Sequence, residues 1–208
     1  DEVDLERIRG LGKPFFLAGG YGRPDGLREA LARGAEGIQV GTLFSLAEES
    51  GYPESEKRRL IRAAHQDRLR IRTDGRVSPT GFPFKVIEAE GTLADPKRRQ
   101  KRDRICDLGY LREPYVDAKG RILGRCPAEP VADYARKGGD PEETEGRACL
   151  CNALMANIGH PQIRTGGREL PLYTGGDQLE DLPLGSADDP TYSAAEVIAY
   201  LTGELEPA

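Results

Sequence analysis

Apolar residues in the first fifty positions fall in short blocks separated by glycine and by charged stretches. Phe15-Phe16-Leu17-Ala18 is a continuous apolar run between Pro14 and Gly19-Gly20, the pattern of a parallel strand buried on both faces. Leu27, Ala30 and Leu31 then recur at i, i+3 and i+4, with Asp25 at an N-cap position and Gly34 where a left-handed C-terminal residue is wanted, so an amphipathic helix is predicted. Gly37 to Gly41 reads as a second short strand, and Thr42 to Glu49 as a helix opening on Thr42. Strand, helix, strand and helix joined by loops this short call for a parallel sheet with a right-handed crossover.

Further along, Ser55 is placed to cap a helix through Ala64, and Arg68 to Thr73 alternates charged and apolar residues like a half-exposed strand. From Ser78 onward the pattern weakens. Residues 92–190 are rich in Gly, Pro and charge and show little sustained periodicity. A last helix is predicted over Ser193 to Leu201, capped by Ser193 with Glu196 three residues on and ended by Gly203. No internal repeat is visible. The chain therefore divides into 1–91, a β/α segment; 92–190, an irregular extension; and 191–208, a C-terminal helix.

Composition narrows the function. With 208 residues and a net charge of −5, the chain lacks the basic surface that a dedicated nucleic-acid binder needs, and small molecules are the expected partners. No apolar run is long enough to span a bilayer, and Asp1 to Arg9 has neither the basic start nor the apolar stretch of a signal peptide. A cytoplasmic protein without a membrane partner is expected. Asp1 to Arg9 leads straight into Lys13-Pro14-Phe15 with no initiator Met, which reads as loss of an earlier portion.

Both predicted strands end in chemistry suited to a phosphate. In a β/α barrel, ligands bind at the C-terminal strand ends, and a phosphate commonly sits between the last two βα loops. Glycine lets backbone N–H groups approach phosphate oxygens, and a helix opening at Thr42 adds further N–H groups and a hydroxyl. Gly-Gly after a strand is, alone, best read as a tight turn. Paired with Gly41-Thr42 one β-α-β unit later, the phosphate reading is favoured over two unrelated turns.

At this point a resemblance enters. The runs Pro14-Phe15-Phe16-Leu17-Ala18-Gly19-Gly20 and Ala30 through Phe44, then Glu49-Ser50, resemble the C-terminal barrel segment of the nitronate monooxygenase (2-nitropropane dioxygenase-like) family, and Thr80-Gly81-Phe82-Pro83-Phe84-Lys85 is similar to the segment after its last barrel helix. The resemblance covers roughly the first ninety residues. It implies an α/β fold, the C-terminal part of a TIM (β/α)8 barrel, followed here by an irregular cysteine-containing module. It also implies that Ala18, Gly19, Gly20, Gly41 and Thr42 hold the phosphate of FMN. Lys85 stands where the family usually has Arg. The implied activity is an FMN-dependent oxidoreductase, a flavoprotein monooxygenase acting on a nitronate-like small molecule, with the flavin carrying the chemistry. The implied partner is the N-terminal remainder of the barrel, without which the chain is expected to be inactive. No Gly-Gly-His segment like the one that carries the family's catalytic histidine occurs, so no catalytic base is assigned. His65, on the predicted helix near Ala64, is read as a surface or packing residue, and His160 lies in the irregular module.

Cys106, Cys126, Cys149 and Cys151 all fall in the irregular module. Four thiolates suit zinc or an iron–sulfur cluster, whereas plain burial of small residues is the alternative. A module with little apolar periodicity needs another source of stability, so the metal reading is set ahead. The basic run Lys97 to Arg104 has no interleaved aromatics and reads as a solvated segment, with Tyr110 and Tyr115 as packing residues. Two alternatives to the flavin enzyme stay open. One is another phosphate-binding barrel enzyme, and the other is an inactive fragment bearing a metal-stabilised interaction module.

Overall fold

Residues 4–205 are described by the structure, a computed structural model. They form two units: residues 4–69 with 175–205, and residues 70–174.

In the first unit the carboxylate of Asp4 accepts the Arg7 N–H and opens α1 (Leu5–Arg9). β1 (Phe16–Ala18) and β2 (Gly37–Gln39) are parallel, with Leu17 opposite Ile38, and α2 (Pro24–Ala32) connects them. The predicted strand, helix, strand order is therefore present, but burial differs from expectation. Leu17 is buried while Phe16 is 62% exposed and Ala18 is exposed. A two-stranded sheet covered by Ala30 and Ala35 on one side has no second layer, so its other face meets solvent. Likewise Leu31, expected inward, is half exposed while Ala30 is sealed. The helix begins at Pro24, whose fixed φ suits the first helical position, and Arg23 rather than Asp25 occupies the N-cap.

α3 (Thr42–Ser45) is a single turn rather than the eight residues predicted. α4 (Glu54–His65) is close to prediction and buries Leu60, Ile61 and Ala64. Lys57 is buried with them. Its ammonium donates to the carbonyls of Ala47 at 3.1 Å, Glu48 at 2.7 Å and Ser50 at 3.2 Å, closing the chain end that the short α3 leaves unpaired. His65 donates from Nε2 to the Leu184 carbonyl at 3.0 Å, the packing role expected of it. The C-terminal helix (Ala194–Thr202) has the predicted Ser193–Glu196 capping box and ends on Gly203 at φ 81°. Tyr192 just before it is fully buried and donates its hydroxyl proton to the Leu43 carbonyl at 2.7 Å.

In the second unit β3 (Ile71–Asp74) and β4 (Phe84–Ile87) are antiparallel, and Val77, Val86, Leu93, Ala148, Leu150 and Leu172 fill the core. α5 (Pro96–Lys101) is capped by Asp95, whose side chain accepts the Lys97 N–H. β5 (Glu113–Val116) and β6 (Ile122–Arg125) form a hairpin. They are followed by α6 (Val131–Arg136), α7 (Leu150–Asn157) and a small hairpin of β7 (Ile163–Arg164) and β8 (Gly167–Arg168). The 92–174 stretch is thus far more regular than its periodicity suggests. All four sheets among the described residues are two-stranded. They form no closed barrel, and the barrel expectation is met only by its β-α-β element. No helix among the described residues is long and apolar enough to cross a membrane.

Candidate functional site

Parallel pairing sets the geometry of the site. Ala18 lies opposite Gln39, so the loops that leave β1 and β2 emerge at the same edge. Gly19-Gly20 and Gly41-Thr42 therefore lie on one side of the sheet, as the spacing predicted. Gly19 and Gly20 both have positive φ, 83° and 88°, a conformation that a side chain resists. A Cβ built at Gly19, Gly20 or Gly41 meets nothing within 4 Å. At Gly41 the backbone is ordinary, φ −109°, and open space is the only structural consequence of lacking a side chain.

Thr42 departs from expectation. Its hydroxyl does not cap a long helix, and α3 is too short to concentrate a macrodipole. Instead Thr42 Oγ1 accepts the Gly176 N–H at 3.0 Å. Because that oxygen is engaged as an acceptor, its own proton is directed elsewhere and is available to a ligand. Gly176 begins the segment that leads into the 3-10 turn Asp177–Asp181, where Gln178 donates from Nε2 to the Gly22 carbonyl. One returning segment thus buttresses both loops. Gly176 and Gln178 were not singled out from sequence, and the only signal was a second Gly-Gly at Gly175-Gly176 after an apolar run.

Lys85 lies in β4 of the second unit, opposite Thr73, and His160 is exposed. Neither belongs to the strand-end loops.

The four cysteines are free. Cys126, Ala128 and Cys149 form a small buried cluster with Cys151 packed against it, and Cys106 is near enough for its charge to push the Cys126 thiol up. Burial is the main cause of that shift and raises Cys126 to about 11; burial raises Cys149 as well. The metal expectation gains no support. Among the described residues no group of three His, Cys, Asp or Glu side chains is disposed to hold a metal ion. Cys126 and Cys149 pack as small apolar residues held in the protonated form. Alkylation of the native protein near pH 8 should therefore modify half-buried Cys106 and Cys151 first. Cys126 is buried, and burial pushes its thiol up to about 11, so little of it is thiolate at that pH and it should react late. Peptide mass spectrometry reads the order. Equal labelling of all four would contradict the burial account, and protection of all four that a chelator lifts would restore a metal.

Comparison with known proteins bears on the same segment. Residues 11–96 match the sequence model of the nitronate monooxygenase family. The chain is also 36% identical over 89 residues to (3aS,4S,5R,7aS)-5-hydroxy-7a-methyl-1-oxo-octahydro-1H-indene-4-carboxyl-CoA dehydrogenase of Mycobacterium tuberculosis. That match takes in 41% of this chain and 23% of the relative's length. No solved structure matches the chain. The matched residues 11–96, which contain both glycine loops, are thus similar in sequence to the nitronate monooxygenase family.

Proposed function

We propose that this chain supplies the phosphate-anchoring half of an FMN site in a flavin-dependent oxidoreductase. The observation that carries the reading is the placement of Gly19, Gly20, Gly41 and Thr42 at one edge of the parallel pair, with open space where each glycine lacks a side chain. The family match spans the same residues. A phosphate fits this donor set. Backbone N–H groups reach its oxygens where no Cβ stands in the way, and the Thr42 hydroxyl adds a donor. Bound FMN supplies the electron transfer. The residues of this chain hold its phosphate tail and fix its orientation, which is binding energy used for positioning.

Two strands are too few to close a barrel of eight, so further strands complete the flavin site and supply the catalytic base. For the substrate, the family match favours a small nitronate-like carbanion. A second reading, an acyl-coenzyme A thioester, is favoured by the relative's name. Protein expressed from its whole reading frame should purify yellow and release FMN on acid precipitation, and the isolated 208-residue chain should not turn over substrate. A colourless protein with no releasable flavin sinks the proposal.

A further inference from the structure

The second unit contains a cleft of about 260 Å³ between the end of α5 and the β7–β8 hairpin. Arg98, Lys101, Arg102, Arg164 and Arg168 line it, against only Asp103 and Glu169. Five positive and two negative side chains leave a local excess of three, in a chain whose net charge is −5. Such a reversal of sign needs a reason, because like charges gathered around a concavity repel one another.

Ion pairs reduce the excess to one but leave Lys101 and Arg168 without a partner among the described residues. Arg102 is paired with Glu169 at 2.7 Å, and the two side chains are 6% and 2% exposed. Arg164 is paired with Asp107 outside the cleft. Arg98 reaches Asp95 only at 3.7 Å. Lys101 and Arg168 are exposed and have no carboxylate within ion-pair distance among the described residues. Glu169 is thus committed to Arg102, and Asp103 is the one lining carboxylate left to face them.

Arg102 adds an independent observation. Its Nε is used by Glu169, and its Nη2 has a long contact of 3.4 Å to the Ile105 carbonyl. Its Nη1 is buried and has no hydrogen-bond partner. A guanidinium so placed is under-satisfied: Glu169 compensates its charge, but Nη1 is left as a buried donor without an acceptor.

We propose that this cleft is a binding site for a compact polyanion, a phosphate or pyrophosphate group. The volume is small for a whole nucleotide, since pockets for drug-sized ligands run from about 300 Å³ upward. It suits one or two phosphoryl groups, either free or at the end of a larger ligand that extends into solvent. Arg98, Lys101 and Arg168 form the outer contacts and Arg102 the floor. Forked guanidinium donors match phosphoryl oxygens, and the lysine adds a point charge. Its lining residues all belong to the second unit and include none of the strand-end glycine loops, so the proposal does not depend on the flavin reading.

Calorimetric titration of the intact protein with inorganic phosphate, pyrophosphate and coenzyme A tests it. Pyrophosphate should bind saturably, and Lys101→Ala with Arg168→Ala should weaken it tenfold or more. Lys97→Ala, an exposed cation on the same helix that does not line the cleft, should leave binding unchanged. Gly41→Val, in the first unit, should also leave it unchanged, which separates this site from the flavin loops. Tighter binding of coenzyme A than of pyrophosphate identifies a phosphate carried on a larger ligand, and the reverse order identifies a free anion. Absence of saturable binding at millimolar concentrations, or binding untouched by the double substitution, overturns the proposal.

Discussion

Asp74→Asn is expected to destabilise the 70–174 unit by about 3–5 kcal/mol, the range for removing one partner of a buried charge pair. Asp74 sits at the end of β3 with its side chain 8% exposed. Its Oδ1 accepts the N–H groups of Arg76 at 2.9 Å and Val77 at 3.1 Å, shaping the turn that delivers Val77 to the core. Its Oδ2 accepts from Arg72 at 2.6 Å and from Arg99 at 3.1 Å. Arg99 is the sensitive partner. Its side chain is 6% exposed, it also donates to the Leu93 carbonyl, and its Nε has no acceptor. Asparagine keeps the shape but leaves that guanidinium buried and uncompensated. Arg72 is 36% exposed, so its share of the loss is smaller because solvent screens it.

The same carboxylate sets an acid limit. Burial alone would raise the Asp74 pKa. The hydrogen bonds from Arg72 and from the Arg76 N–H, with the charges of Arg99 and Arg72, outweigh it and hold the carboxyl below its usual value. A depressed folded-state pKa stabilises the fold fully above the unfolded value, near 3.9, and that stabilisation fades as pH falls from there through the folded value. Wild-type protein should lose this share of its stability below about pH 4, whereas Asp74→Asn should lack it already at pH 7 and show less further acid sensitivity. Urea unfolding followed by circular dichroism at pH 7 and between pH 5 and 3 gives both numbers. A variant within about 1 kcal/mol of wild type at pH 7 would show that the network carries little.

How much of this was legible in the sequence depended on how local the cause is. The C-terminal helix was read correctly because its start and stop are written within eleven residues, Ser193 and Glu196 at one end and Gly203 at the other. α7 was missed for the opposite reason. Leu150, Asn152, Ala153, Ala156 and Asn157 are all buried, so the helix is covered on several faces and shows no polar stripe. Asn157 looks polar in sequence but pairs with the backbone of Leu172 in both directions at 2.9 Å. The helix predicted from Thr42 to Glu49 stopped after one turn, where Lys57 takes up the carbonyls that would have continued it. At the candidate site, Gly19, Gly20, Gly41 and Thr42 were legible because one β-α-β unit fixes their common edge. Gly176 contacts Thr42 across 134 residues and Gln178 contacts Gly22 across 156, and no local pattern carries contacts of that range.

The difference between the glycines provides the sharpest test of the flavin proposal. Substituting Gly20 changes two things at once, since φ 88° strains any side chain, and a loss of flavin there would not separate ligand contact from a deformed loop. Gly41 has no such ambiguity. Its φ of −109° is open to all residues, and its Cβ position is empty to 4 Å. Gly41→Val should therefore cost the fold less than about 1 kcal/mol, the scale of a changed cap on a one-turn helix. On the proposed reading the two added methyl groups occupy the path by which the backbone meets the phosphate. FMN affinity in the whole protein should then fall at least tenfold, about 1.4 kcal/mol, with Gly41→Ala intermediate. Flavin fluorescence on dilution measures the dissociation constant, and thermal unfolding without flavin checks the fold. An unfolding midpoint unchanged beside a weakened flavin places the phosphate against Gly41. If affinity is also unchanged, Gly41 is a turn residue, and the phosphate reading of this loop falls with it.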